Sequence, residues 1–337
     1  MQALTIKQEY NNDSEFYYFL CSDLHFGNKG QNKDLLKKDF DEAKKLNAKI
    51  FINGDWGDFI MSGDNKRYNP SADAYGTDNN INMTINEAFD FFSEYVENIA
   101  MIGTGNHETS ISKFHQFDPT QQLIYSLNKA HKTHIVHGQY SGYIVLKYVR
   151  KSGSDVKQYK IYYNHGQGGT AEISKGTIDI NRHMSTKTAD LIWLGHKHTK
   201  VLLPSEYILD VNAAGEIIQR ERAGLITGAY MHIYHQYDAM KKGYNISYGE
   251  ERMRGLQSTG GAIMRHVITK HGIEKKITLW GNMPIVTKRT DLKLTFLNTE
   301  YTHIYTYKCD CGREVTYYDY EKPERLQKCF ECQEKVQ

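Results

Sequence analysis

The chain has 337 residues, 39% of them hydrophobic and 24% charged, with a formal net charge of +2. That is enough sequence to bury one large core and a small appendage, and the charge balance excludes a polycation. No basic-then-apolar leader opens the sequence and no apolar run reaches about 18 residues, so the expectation is a chain neither exported nor inserted in a membrane.

Residues 16–22 form a short aromatic and apolar run, a buried-strand pattern. Residues 33–48 carry Leu35, Leu36, Phe40, Ala43 and Leu46 at helical spacing, and 49–53 read as a second strand. Strand, helix and strand in that order make a βαβ unit whose strand ends carry loops. Residues 61–84 then gather turn formers such as Asp64, Asn65, Asn69, Pro70 and Gly76, the mark of an inserted loop. A helix over 85–97 and a strand over 99–103 follow. A hairpin is expected from 143–149 and 159–163, a helix over 171–188 and a strand at Leu191-Ile192-Trp193-Leu194. Beyond that the pattern is β-rich at 223–233, 261–269 and 276–279. The 25 Tyr suit a polar sheet protein with a wet binding surface and specify no ligand.

Five clusters of metal-binding side chains follow apolar stretches in one order. They are Asp23-Leu24-His25, Gly54-Asp55-Trp56-Gly57-Asp58, Gly105-Asn106-His107-Glu108, Asn164-His165-Gly166 and Gly195-His196-Lys197-His198. Strand-end placement collects oxygen and imidazole donors at one edge of a sheet, where two metal ions can sit side by side. Such a pair neutralises phosphate oxygens, lowers the pKa of a bridging water and orients it for in-line attack, and it needs a shared carboxylate with mixed oxygen and imidazole ligands. Asp55 is the natural bridge. Asp23, His25, Asn106, His165, His196 and His198 supply the remaining ligands. His107 is expected to face substrate, protonating the leaving oxygen or holding the phosphate. Asp58 and Glu108 are expected to orient a histidine by accepting a ring N–H.

The ordered set Asp-x-His, Gly-Asp-x-x-Asp, Gly-Asn-His-Glu, His and Gly-His-x-His resembles the calcineurin-like metallophosphoesterase superfamily. The resemblance spans about residues 16–235 and leaves no ligand block empty. It implies an α/β fold, a four-layer αββα sandwich. It also implies one metal on Asp23, His25, Asp55 and His198, and another on Asp55, Asn106, His165 and His196. Mn, Fe, Zn and Ni all suit those donors. The superfamily's double-strand-break-repair nucleases usually carry His where this chain has Asp58. The run His165-Gly166-Gln167-Gly168-Gly169, with Ile226-Thr227-Gly228-Ala229-Tyr230 and Lys242-Gly243-Tyr244-Asn245, also resembles phosphoesterases encoded by bacteriophages and their hosts. A cytoplasmic location, that of a bacterial host for a phage-encoded chain, goes with that reading. The Gly168 and Gly169 N–H groups can approach a phosphate, or the run is a tight turn into the next helix.

Cys309-Asp310-Cys311 and Cys329-Phe330-Glu331-Cys332 make two thiolate pairs that suit one structural Zn, so 301–337 reads as a small C-terminal zinc ribbon after a catalytic domain at 1–300. A disulfide pairing is the other reading of the four thiols. Residues 301–337 hold six Lys and Arg against seven Asp and Glu, so the ribbon fits a protein partner as well as DNA. Residues 241–289 hold ten Lys and Arg against three Glu, Lys275 and Lys276 among them. They form either a solvated sheet face or a surface that tracks phosphates. The expected function is a two-metal phosphodiesterase that attacks with a metal-bridging hydroxide, first of all a DNA nuclease. The competitors are a phosphomonoesterase or small-nucleotide phosphodiesterase, protein phosphatases included, and a non-catalytic metal-stabilised binding module.

Overall fold

The first two strands, β1 (Gln2–Tyr10) and β2 (Ser14–Cys21), go to different sheets. β2 is followed by α1 (Lys33–Lys45), β3 (Lys49–Ile52), α2 (Asn80–Ser93), β4 (Ile99–Ile102), α3 (Asn106–His115), α4 (Pro119–His131) and β5 (Val136–His137). Then come β6 (Ser141–Arg150), β7 (Val156–Asn164), α5 (Thr177–Thr186), β8 (Leu191–Leu194), β9 (Val201–Val211), β10 (Ile217–Ile226), β11 (Ala262–Ile268) and β12 (Ile273–Leu279). One six-stranded sheet has the order β1-β6-β7-β8-β10-β9 and the other β12-β11-β2-β3-β4-β5.

Strand alternation explains why these sheets stack. β2 sends Tyr18 and Leu20 to one face and Phe19 and Cys21 to the other; β3 likewise divides Phe51 from Ile50 and Ile52. Parallel strands apolar on both faces must be covered on both. Tyr18, Leu20 and Phe51 pack against Leu146, Ile161, Trp193 and Leu225 of the other sheet. The opposite face is closed by Leu36 and Phe40 of α1, Ala88 and Phe92 of α2, Ile111 of α3 and Leu123 of α4. α5 covers the outer face of the first sheet, with Ile180 and Met184 against Ile192, Leu194 and Ile226. The layers run helix, sheet, sheet, helix, the αββα sandwich expected from the sequence.

The computed structural model describes residues 1–61, 73–77, 79–169, 173–211, 215–232 and 259–281, together with four later strands. It divides into the units Met1–Pro284 and Ile285–Gln337. In the second unit β13 (Leu294–Phe296) pairs antiparallel with β14 (Thr299–Tyr301), and β15 (His303–Lys308) with β16 (Glu314–Asp319). Cys309, Cys311, Cys329 and Cys332 lie outside the described residues. So do residues 62–72 and 78 of the 61–84 loop, the run Lys242-Gly243-Tyr244-Asn245, and six of the ten basic residues in 241–289.

Topology now gathers the clusters. β2, β3 and β4 run parallel, as do β7 and β8 in the other sheet. Their C-terminal ends meet: the Asn53 side chain donates to the Asn164 carbonyl at 3.0 Å, and the His196 N–H donates to Asp23 Oδ2 at 2.9 Å.

Candidate metal centre

The chain leaves β2, β3 and β8 by left-handed turns. Asp23, His25, Asp55, His196 and His198 all have positive φ, between 47° and 65°. This conformation costs a non-glycine residue about 1 kcal/mol, and Asp, Asn and His bear it better than most. Five such residues in one cluster are held there by their surroundings. Backbone bonds brace the first two loops against each other, from Asp23 N to Gly54 O at 3.1 Å, His25 N to Asp55 O at 3.1 Å and Phe26 N to Trp56 O at 2.8 Å.

Glu108 ties the second loop to the third. It is fully buried in the first turn of α3 and accepts from the N–H groups of Asp55 (3.1 Å), Gly57 (3.0 Å) and Gly105 (2.6 Å). Burial, and then the Asp55 carboxylate, push its pKa up to about 7. The sequence had pointed to a ring N–H as the partner of Glu108; the structure gives it backbone N–H groups instead.

Among the described residues, side chains of the clusters converge in three groups able to hold a metal ion, one of them His25, Asp58 and His107. One ligand atom from each of Asp23, His25 and His198 lies within 4.8 Å of the others, and the same holds for Asp55, His165 and His196. His198 Nε2 is 3.3 Å from Asp23 Oδ1 and 3.2 Å from His25 Nε2, while His165 Nε2 is 3.0 Å from Asp55 Oδ2. Neighbouring ligand atoms held about 2.1 Å from one ion at right angles are about 3 Å apart, so these separations suit a shared cation.

Tautomers agree with that. The His165 Nδ1–H donates to the Asn53 carbonyl at 2.6 Å, which leaves Nε2 facing inward toward Asp55. The His25 Nδ1–H is 3.1 Å from Asp58 Oδ1, which does the same for His25 Nε2. The His196 Nε2–H donates to the Gly168 carbonyl at 3.1 Å, so Nδ1 is the free atom of that ring. A buried polar atom without a partner is costly. Asp23 Oδ1, Asp55 Oδ2, Asn106 Oδ1, His165 Nε2 and His196 Nδ1 are all buried without a hydrogen bond. Two carboxylate oxygens, an amide oxygen and two imidazole nitrogens aimed inward are a donor set for divalent cations.

Charge states point the same way. Burial opposes ionisation of Asp23, yet His198 holds its pKa down at about 2. Burial also opposes the Asp55 charge, and His165 and His107 outweigh it, leaving that carboxyl well below its usual range. Burial lowers the pKa of His25, and it lowers that of His196 to about 4. His165 is the exception: burial disfavours its proton, but Asp55 and then Asp23 raise it to about 10.

His107 sits at the rim. Its Nδ1–H donates to the Asp58 carbonyl, so Nε2 is presented toward Asp55 Oδ2, 3.8 Å away. Burial works against its proton, but Asp55 and Asp58 raise its pKa. Asp58 serves both rings, His25 through its carboxylate and His107 through its main chain. Gly168 reaches the site through its carbonyl, the acceptor of His196, and a Cβ added to Gly168 or Gly169 would meet nothing within 4 Å. Lys275 and Lys276 do not. They pair in register with His266 and Arg265, which face Phe16 and Tyr17 in β2, several residues short of Asp23. Lys275 instead forms an ion pair with Glu221 at 2.9 Å and lies over the Tyr159 ring.

Sequence reasoning missed residues that act through main-chain atoms or short contacts. Ser22 Oγ donates to Asp23 Oδ2 and lies 2.7 Å from Thr227 Oγ1. The Tyr140 hydroxyl donates to the Gly166 carbonyl at 2.5 Å, and its ring stands edge-on to His165. Asn53 and Tyr140 carry no signature of their own, whereas Ser22 adjoins Asp23 and was open to notice.

No family model matches the sequence, and no curated protein sequence does. Among solved structures, the chain is similar to a Vps29 single mutant from Entamoeba histolytica, at 8% identity and a TM-score of 0.30, over 79% of this chain and 100% of that one. It is similar to a metallophosphoesterase from Sphaerobacter thermophilus at 11% identity and a TM-score of 0.29, over 77% and 88% of the two chains. It is also similar to GAP50, the anchor in the inner membrane complex of Plasmodium, at 10% identity and a TM-score of 0.38, over 78% and 84%.

Proposed function

We propose that the chain is a calcineurin-like metallophosphoesterase that hydrolyses phosphodiesters with two divalent ions, and that DNA is its substrate. One observation carries the hydrolase reading. The first, second, fourth and fifth motifs supply two groups of facing donors, and four of their donor atoms, together with Asn106 Oδ1 of the third motif, are buried without a hydrogen bond. Asp23, His25 and His198 would hold one ion, and Asn106, His165 and His196 the other, with Asp55 shared. When bound, such ions neutralise phosphate charge and acidify water. His107 would give a proton from Nε2 to the leaving oxygen. Asp58 would keep the rings of His25 and His107 turned inward, and Glu108 would keep the Asp55 and Gly105 loops in place. Gly168 and Gly169 would offer N–H groups to the phosphate. The DNA part rests on the sequence, on the positive surplus of residues 241–289 and the paired cysteines near the C-terminus, which would hold one structural Zn.

The test is an activity panel with Mn²⁺ on linear DNA, RNA, bis-p-nitrophenyl phosphate and p-nitrophenyl phosphate. Cleavage of DNA and the model diester is expected. Turnover of the monoester alone would sink the nuclease reading. Asp55→Ala and His196→Ala should each reduce every activity by at least 100-fold, and full retention would show the ions to be held elsewhere. His107→Ala should slow turnover with both ions still bound, and loss of metal there would contradict a proton-donating role.

A further inference from the structure

Lys197 is the residue between the two histidines of the fifth cluster, and nothing in the proposed chemistry uses it. It is 3% exposed, unusual for a lysine. Its ammonium lies 2.5 Å from the Gln167 carbonyl oxygen, 3.3 Å from that of Gly169 and 3.5 Å from that of Gly168, with Asp179 Oδ2 at 2.9 Å. Asp179 stands in the first turn of α5. One buried cation therefore gathers three successive carbonyls of the glycine turn and ties them to a helix. Tyr140 and Asn164 pin Gly166 at the start of the turn, and beyond it Gly168, with φ of 70°, has the backbone freedom of a glycine.

The Gly168 carbonyl is the junction. It faces the Lys197 ammonium and also accepts from His196 Nε2. That second bond decides which ring nitrogen of His196 is bare, and the bare one, Nδ1, is the buried atom without a partner. We propose that Lys197 is a positioning residue that holds the Gly168 carbonyl against His196, and so aims His196 Nδ1 at the ion it shares with Asp55 and His165. This rests on the reading of His196 as a ligand. Without the ammonium, three carbonyls lose their common donor, the turn relaxes, and the His196 ring loses the acceptor that selects its tautomer. Partners of this kind, one bond behind the ligand, typically change metal affinity by about 10- to 100-fold.

Mn²⁺ binding tests this on the full chain, with stoichiometry read by calorimetry and pairing by electron paramagnetic resonance. The unaltered protein should take up two ions and show the spectrum of an exchange-coupled pair. Lys197→Met keeps the apolar stem and removes the charge. It should weaken one of the two sites by about 10- to 100-fold and convert the spectrum toward that of isolated Mn²⁺, as His196→Ala should do outright. Two sites of unchanged affinity with a coupled spectrum in Lys197→Met would overturn the positioning role and leave the hydrolase reading intact. Failure of the unaltered protein to bind a pair would overturn both. Should Lys197→Met not fold, Asp179→Asn, on the half-exposed partner, is read by the same criteria.

Discussion

His165 shows how one residue links acidity to metal uptake. In the metal-free protein its pKa is raised from 6.5 to about 10 by Asp55 and Asp23, which outweigh burial. A raised pKa means that the bound proton stabilises the fold fully below about 6.5 and that this contribution is lost as pH rises through about 10. A cation needs the Nε2 lone pair and must displace that proton. Mn²⁺ affinity should therefore rise with pH across that window, close to tenfold per pH unit, with release of a proton. Calorimetry in buffers of different ionisation enthalpy measures the release, and pH-independent affinity with no proton release would refute it. At this scale the residues of the donor groups were legible because Asp, Asn and His after strand ends are few and chemically distinct. The tautomers were not: they depend on the carbonyls of Asn53 and Gly168 and on the Asp58 carboxylate, brought close only by the fold.

The strand-end loops impose unequal demands on their glycines. Gly54 has φ of 78°, and a Cβ there would come within 2.6 Å of Gly105 N and 2.7 Å of His165 Nδ1. Gly54→Ala should destabilise the fold by about 2–4 kcal/mol, from left-handed strain and overpacking together. Gly169→Ala introduces no contact within 4 Å and should leave stability within about 0.5 kcal/mol. If the turn approaches phosphate, this variant should still raise KM several-fold. Urea melts and steady-state kinetics on the two variants check both statements, and an unchanged KM in Gly169→Ala would mean that the turn serves only the backbone. Elements with dense apolar runs, β2, β3, β4 and β8, were readable in the sequence because each is buried on both faces. The third cluster was read as following its strand, but it is also the first turn of α3, whose sequence is too polar to show a strong stripe. α4 carried a start signal in Asp118 and Pro119, and β1 alternates cleanly, yet neither adjoins a cluster that draws attention to it.

Across the molecule, five tyrosines depart from what the sequence suggested. Tyr10, Tyr18, Tyr148, Tyr159 and Tyr163 lie in the core between the sheets, not on a wet surface. Tyr18 and Tyr148 join hydroxyls at 2.8 Å, and Tyr148 reaches His266 Nδ1 at 2.6 Å, so the interface between the sheets carries a buried polar chain as well as apolar contacts. A sequence shows that a tyrosine can face either phase, and only the partner strand decides which.

The donor groups around Asp23 and Asp55 each draw on both sheets. His198, at the end of β8, joins Asp23 and His25 from the end of β2, and Asp55, after β3, joins His165 and His196. Ions held there would act as cross-links between two layers, added to hydrogen bonds such as that from the Tyr230 N–H to the Asp23 carbonyl at 2.9 Å, much as a disulfide closes a loop. Chelation should then loosen the molecule locally. Amide hydrogen exchange is expected to accelerate at the C-terminal ends of β2, β3, β7 and β8, while the opposite ends, around Phe16 and Tyr159, keep their protection. Equal acceleration at both ends would mean that the ions support the fold as a whole and do not fasten one edge of it.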